Sequence, residues 1–345
     1  MTSPSMRESQ RQLFLSSIGW QNAECRLLAG DASFRKYWRL EKGQDIRVLM
    51  DAPPEHENIT PFLHVADTLS AAGLRVPHRY ASDVQAGWLL LEDLGDQSFT
   101  ALLKQQNNNE RMVYEAAIDA LLHLHAATER LPYRPATYDS TVYLREISLF
   151  SDWFLPQALG ADAATALRDG YVTLWRDLLE QASLAQSVLV HRDYHADNLL
   201  WQPHAQGIAR VGMLDFQDAL MGDAAYDMVS LLEDARRDVA ETTVNACLQR
   251  YIAESGEDAE NFLRRYAVLG AQRNAKIIGI FTRLAVRDGK PHYLHYLPRV
   301  WQHFERDLQH PALAPLKAWV DAHVPANMRH LSQIDMRIGS IAGAA

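Results

Sequence analysis

Cysteine is almost absent: a chain of 345 residues holds two, Cys25 and Cys247. They lie far apart, so they build neither a disulfide framework nor a metal-ligand spacing, which suits a reducing compartment. Long apolar runs are missing as well. No stretch approaches the roughly 18 consecutive apolar residues of a membrane helix, and the opening MTSPSMRESQRQLF lacks the apolar run of a secretory signal. A soluble, cytoplasmic protein with no membrane partner is the expectation. Lysine and arginine form no long run and the net charge is −9, which argues against nucleic acid as a main partner. No repeat is visible, and the one biased spot, QQNNNE at 105–110, reads as a loop.

What is present is an ordinary globular mixture, 48% apolar and 22% charged, long enough for two lobes. KYWRLE and IRVLMDA flank KGQD, whose Gly43 suits a hairpin, so the two runs read as paired strands. ITPFLHVADTLSAAGL follows, with Thr60 as N-cap, Pro61 as first helical residue, Phe62, Leu63, Val65, Ala66 and Leu69 on the apolar side, and Gly73 closing it. GWLLLEDLG is a further strand. Beyond Gly95 the periodicity becomes helical: 110–128 places Val113, Ala116, Ala117, Ala120, Leu121 and Leu124 on one side. More helices are expected near 141–160, 163–186, 225–252, 258–288 and 295–308. The fold class is α+β: a small β-rich N-terminal lobe (1–91), a hinge at 92–95, and a large, mainly helical lobe (96–345).

Two short runs between the helices carry the chemistry, SVLVHRDYHADNLLW and VGMLDFQDALMGDAAYD. The apolar VLV makes a strand with His191, Asp193 and Asn198 at its exit; ARVGMLD makes a second that delivers Asp215. Phosphoryl transfer needs a carboxylate that orients an acceptor hydroxyl and takes its proton, oxygen ligands for Mg²⁺, and donors that neutralise phosphate charge. Asp193 fits the first role, and Asn198 and Asp215, as hard oxygen ligands, fit the second.

HRDYHADN, LDFQD and the downstream GDAAYD together resemble the kinase-like phosphotransferases, the superfamily of aminoglycoside phosphotransferases, choline kinases and protein kinases, over about Leu28 to Val300. The protein-kinase branch does not fit. The position two residues after Asp193 holds His195 rather than Lys, Asp215-Phe216 is followed by Gln217 rather than Gly, and DFQDALMGDAAYD leaves no room for a peptide platform. A small-molecule acceptor is implied. By the same resemblance His191, Asp223 and Asp227 brace the catalytic loop, while Asp218 stays open between metal and solvent. ATP is expected between the lobes, its adenine on backbone groups of Glu92 and Leu94, which face one side of an extended strand. AGDASFRKY should cradle the phosphates, with Gly30 permitting close approach and Ser33 donating a hydrogen bond.

Family kinases carry a lysine on the third strand, paired with a glutamate of the next helix. Here Met50 stands in RVLM and the helix offers Asp67 or His64. Arg35 or Lys36 could substitute, Arg35 preferred. GDASFRKYWRL, VLMDAPPE, LLLEDLG, DFQDA and RDGKPHYLHYLPRVW resemble one subgroup, bacterial anomeric kinases of N-acetylmuramate and N-acetylglucosamine, in which the missing lysine is a shared trait. The resemblance implies ATP- and Mg²⁺-dependent phosphorylation of the C1 hydroxyl, with the product passing to a sugar-1-phosphate uridylyltransferase in peptidoglycan recycling. The muramyl lactate is an anion, so Arg145, Arg273, Asn274 and Lys276 are candidates near the sugar; Tyr143, Trp153 and Phe154 could stack on it or belong to the core. The rivals are a kinase of another small alcohol, of aminoglycoside, choline, homoserine or methylthioribose type, and a nucleotide-binding module that has lost turnover. Asp193→Asn separates enzyme from module. It is expected to abolish ADP release while a calorimetric ATP titration stays nearly unchanged, whereas a pure binding module would keep its output.

Overall fold

The computed structural model describes residues 4–28, 34–105 and 109–329. The N-terminal elements are α1 (Pro4–Ser17), β1 (Glu24–Leu27), β2 (Lys36–Lys42), β3 (Asp45–Asp51), α2 (Thr60–Ala71), β4 (Arg79–Asp83), β5 (Trp88–Glu92) and α3 (Phe99–Gln105). Next come α4 (Glu110–Ala127), α5 (Ser140–Leu149), a π-helical turn at Phe150–Phe154, α6 (Leu155–Leu159) and α7 (Ala161–Ala182). Four short strands follow: β6 (Val188–Val190), β7 (Leu199–Trp201), β8 (Val211–Met213) and β9 (Leu220–Gly222). The chain closes with α8 (Ala225–Leu232), α9 (Glu241–Ser255), α10 (Ala259–Val286), α11 (Leu297–Asp307) and α12 (Ala314–His323). These form two compact units. One comprises Met1–Asn107, Arg130–Tyr133 and Asp197–Asp218; the other comprises Asn108–Glu129, Arg134–Ala196 and Ala219–Ala345. No helix among the described residues is long and apolar enough to cross a membrane.

In the first unit, five antiparallel strands run in the order β1-β2-β3-β5-β4. The expected hairpin forms where Lys42 faces Asp45 and Gly43 takes φ +64°, a backbone conformation that glycine adopts without steric cost. Leu40, Leu49, Trp88 and Leu90 make a buried face, and Phe14 and Leu15 of α1 pack onto it. That helix was not anticipated. Its sequence is mostly polar, and tertiary contacts hold it: Arg7 donates to Asp51 from Nε (2.8 Å) and Nη2 (2.6 Å), and its guanidinium lies over Trp88. On α2 the five expected apolar residues are buried, but Ile59, not Thr60, is the N-cap, and Asn58 Oδ1 accepts from the Thr60 N–H at 2.9 Å. β7 and β8 pair as a separate antiparallel ribbon in this unit.

The second unit is organised around α10, a 28-residue helix whose middle, Arg265 to Ala275, is buried on every side. It meets α5 and the π-helical turn closely because residue 279 is glycine: a Cβ there would stand 2.3 Å from the Leu149 carbonyl carbon and 2.6 Å from Phe150 N. The π turn precedes Pro156, whose ring donates no hydrogen and crowds the carbonyl four residues earlier, so a widened turn relieves the clash. The helix expected over 225–252 is two helices. It breaks after Leu232 because Asp234 Oδ1 accepts from the Arg236 N–H at 2.8 Å, a local turn that competes with helix continuation. Gly279→Ala should therefore lower stability by about 1–3 kcal/mol or more. A drop in the midpoint of urea unfolding checks this.

Candidate active site

Within the first unit, the β7–β8 pairing sets Leu199 opposite Met213. The residues flanking that pair are joined by a 2.9 Å hydrogen bond from Leu214 N–H to the Asn198 carbonyl. The ribbon thus brings Asn198 and Asp215 to the same end of two short strands. Asp215 adopts φ +61°, a left-handed conformation that aspartate tolerates better than most residues. Its Oδ1 accepts from Gln217 Nε2 at 2.9 Å, and Arg35 Nη2 stands 3.5 Å from the same oxygen. Arg35 is buried, and its Nε lies 3.9 Å from Glu57 Oε1. Met50 is fully buried on β3 between Tyr37 and Leu89. Asp67 on α2 pairs with Arg79 and His64 packs at a tilt against Tyr133, so neither serves as a partner for an anchoring cation. Gly30 and Ser33 lie outside the described residues. An amide oxygen and a half-exposed carboxylate form a donor set that fits Mg²⁺, which takes one or two protein oxygens and completes its shell with phosphates and water.

The linker after β5 is tied down at both ends. Arg75 forks onto the Glu92 carboxylate at 2.8 and 2.6 Å, and Arg39 holds both Asp93 and Asp96. The Glu92 N–H donates to the His78 carbonyl and the Leu94 carbonyl accepts from Gln202 Nε2 at 3.0 Å.

The second unit holds His191, Asp193, Asp223 and Asp227. Asp227 is fully buried and accepts both the His191 N–H (2.6 Å) and the Arg192 N–H (2.9 Å), pinning the loop where Arg192 takes φ +74°. Burial pushes its carboxyl up to about 7, against the pull of those two donors. Asp223 accepts from Ala185 N–H (2.8 Å) and Ala225 N–H (3.0 Å) and forms an ion pair with Arg265, whose Nε lies 2.9 Å from Oδ2. Burial acts to raise the Asp193 carboxyl too, but nearby positive charge, Lys276 foremost and Arg273 with it, outweighs it and holds the group below its ordinary value. Burial keeps His195 neutral, its pKa lowered to about 3.

Beside Asp193 lies a cluster that the sequence reading missed. Glu146 of α5 is buried and accepts from Arg192 Nη2 (2.6 Å), Lys276 Nζ (2.8 Å), Gln272 Nε2 (3.0 Å) and the Tyr138 hydroxyl. Burial alone would raise its pKa, yet the two cations draw it down to about 2. A signal was present: Glu146 falls on the apolar stripe of Tyr143, Ile147 and Phe150, where a charged residue needs a partner. Arg145, one position along, is exposed. Arg273 donates to Ser230 Oγ at 3.0 Å, and Asn274 is fully buried between Glu233 (2.8 Å) and Asp307 (3.0 Å). Tyr143 and Phe154 are buried in the unit's interior.

A family model described as the phosphotransferase enzyme family matches residues 24–267. The chain belongs to this family. Among curated proteins it is similar to the N-acetylmuramate/N-acetylglucosamine kinase of Caulobacter vibrioides, 37% identical over 364 residues that cover 95% of this chain and all of that one. The protein of the same name from Pseudomonas aeruginosa is 39% identical, covering 88% of this chain and 90% of that one. Among solved structures, the GDP complex of wild-type aminoglycoside 2'-phosphotransferase-IIIa superposes with a TM-score of 0.60 at 15% identity, over 87% of this chain and 99% of that one. The α+β kinase-like fold expected from the motifs is therefore the fold of this chain.

The Glu146 knot makes a pH-dependent prediction. A carboxyl lowered from 4.5 to about 2 on folding adds stability that is complete above pH 4.5 and is lost as the pH falls towards 2. Glu146→Gln should destabilise the chain at pH 7 by ~3 kcal/mol. The gap to the wild type should narrow through that acid window, measured as urea midpoints at a series of pH values.

Proposed function

We propose that this chain is an ATP- and Mg²⁺-dependent kinase that phosphorylates the anomeric C1 hydroxyl of free N-acetylmuramate and N-acetylglucosamine. The observation that carries the substrate is the end-to-end match to relatives named as kinases of those two sugars. The local electrostatics support the chemistry. Asp193, kept ionised by the cations around it, acts as the base that orients the acceptor hydroxyl and takes its proton. An anomeric hydroxyl is more acidic than an ordinary alcohol, so a carboxylate with a low pKa suffices. The sugar oxygen then bonds to the γ-phosphorus, the bond to the β–γ bridging oxygen breaks, and ADP leaves; the gain comes from alignment and charge neutralisation.

On this reading Asn198 and Asp215 hold Mg²⁺, which supplies positive charge against the phosphate oxygens. Arg35, buried next to Asp215, replaces the strand lysine that Met50 displaces, and Gly30 and Ser33 belong to the phosphate cradle. The linker 92–95 is the hinge between lobes 1–91 and 96–345. Since the Glu92 N–H and the Leu94 carbonyl are engaged internally, adenine falls to the Glu92 carbonyl and the Leu94 N–H. His191, Asp223 and Asp227 support the catalytic loop, and the sugar 1-phosphate passes to a uridylyltransferase in the cytoplasm.

The test is a ³¹P NMR spectrum after incubation with ATP, Mg²⁺ and each sugar. A new phosphorus signal coupled to the anomeric proton is expected. Phosphate on another hydroxyl would remove the anomeric assignment, and ATP binding without any sugar phosphate would favour a silent nucleotide-binding module.

A further inference from the structure

Lys276 is held in place by a buried carboxylate and still has a donor to offer. An ammonium carries three N–H donors. Those of Lys276 reach Glu146 Oε1 at 2.8 Å and the Tyr226 hydroxyl at 3.2 Å, which leaves one without a partner among the described residues. The side chain is 15% exposed, so the residue is not wholly closed off from solvent. Arg192 Nη2 donates to the same Glu146 oxygen at 2.6 Å. The shared oxygen therefore places the Lys276 ammonium next to the guanidinium of the residue that adjoins Asp193. Around Glu146 two cations face one carboxylate. Arg273, the other cation of this face of α10, is enclosed and turned towards Ser230.

We propose that the third N–H of Lys276 binds the lactyl carboxylate of N-acetylmuramate, so that Lys276 distinguishes this anionic sugar from neutral N-acetylglucosamine. The proposal rests on the sugar-kinase reading above. Its geometry is that of one molecule spanning two groups: the lactyl arm on C3 and the hydroxyl on C1 flank the same C2 carbon, so a sugar whose C1 hydroxyl meets Asp193 can extend its carboxylate to a cation close by. A charge-assisted contact in a partly desolvated site is strong enough to set a preference. N-acetylglucosamine, lacking the arm, would leave that donor to water.

Steady-state kcat and KM for both sugars, in the wild type and in Lys276→Met, test this. The variant should raise KM for N-acetylmuramate about ten- to a hundred-fold and leave KM for N-acetylglucosamine unchanged, while the loss of its charge beside Asp193 falls on kcat for both sugars alike. Turnover of the neutral sugar also reports that the variant folds, as expected when Glu146 keeps Arg192, Gln272 and Tyr138. Lys276→Arg should retain the preference. In the wild type, the methyl ester of the lactyl carboxylate should lose the same factor, and Lys276→Met should treat acid and ester alike. An equal rise in KM for both sugars, or no rise for either, would overturn the proposal. Should Lys276→Met fail to fold, a Lys276→Arg variant without the preference, or a wild type indifferent to esterification, would overturn it as well. A wild type that phosphorylates neither sugar would instead remove the parent reading, before any variant is made.

Discussion

One buried carboxylate governs the electrostatics of the helical unit. Glu146 gathers Arg192, Lys276, Gln272 and Tyr138 onto its two oxygens. Without it two cations would stand in a low-dielectric interior with no counter-charge, a strongly unfavourable state. With it, a positive environment persists beside Asp193, and that environment keeps Asp193 ionised although burial opposes it. The same contacts tie α5 to α10, at the place where Gly279 lets the helix backbones approach.

A second device fixes the loop itself. Arg192 and Asp215 both take positive φ, which costs free energy for residues other than glycine. At Arg192 the buried Asp227 carboxylate compensates by accepting two consecutive backbone N–H groups. At Asp215 the side chain is restrained by Gln217 and faced by Arg35. Strain at these two points, each adjoining a residue proposed to act on phosphate or acceptor, is what a preorganised site requires: the geometry is set before the ligand arrives.

On the proposed reading, the missing strand lysine changes how the phosphate charge has to be met. Met50 is packed inside the sheet and no cation rises from that strand position. Arg35 enters from the neighbouring strand's start, where an ion pair with Glu57 and proximity to Asp215 hold it. The resemblance made Arg35 and Lys36 both candidates, Arg35 preferred; Glu57 carried no signal, because it sits in an irregular segment where periodicity says nothing about facing.

Local patterns were enough for β2, β3 and β5, the β2–β3 hairpin, most helix boundaries and the family, because each depends on residues within a few positions of one another. The spacing of His191, Asp193, Asn198 and Asp215 was legible for the same reason. What the sequence could not decide was how an inward-turned charge is partnered. Arg145 and Glu146 are neighbours in the chain but point about 100° apart on a helix; the apolar stripe marks Glu146 as the buried one, while its cation partners lie 46 and 130 positions away. Arg273, Asn274 and Lys276 share one helix, yet they answer to Ser230, to Glu233 and Asp307, and to Glu146 respectively. The same holds for α1, whose polar sequence becomes a helix against a sheet face, and for the break after α8, where one aspartate closes a turn. For the helix-borne charges and α1 the deciding free energy is that of burying a polar or charged group with its partner, which chain-distant packing supplies; at the α8 break the turn is local, between Asp234 and Arg236.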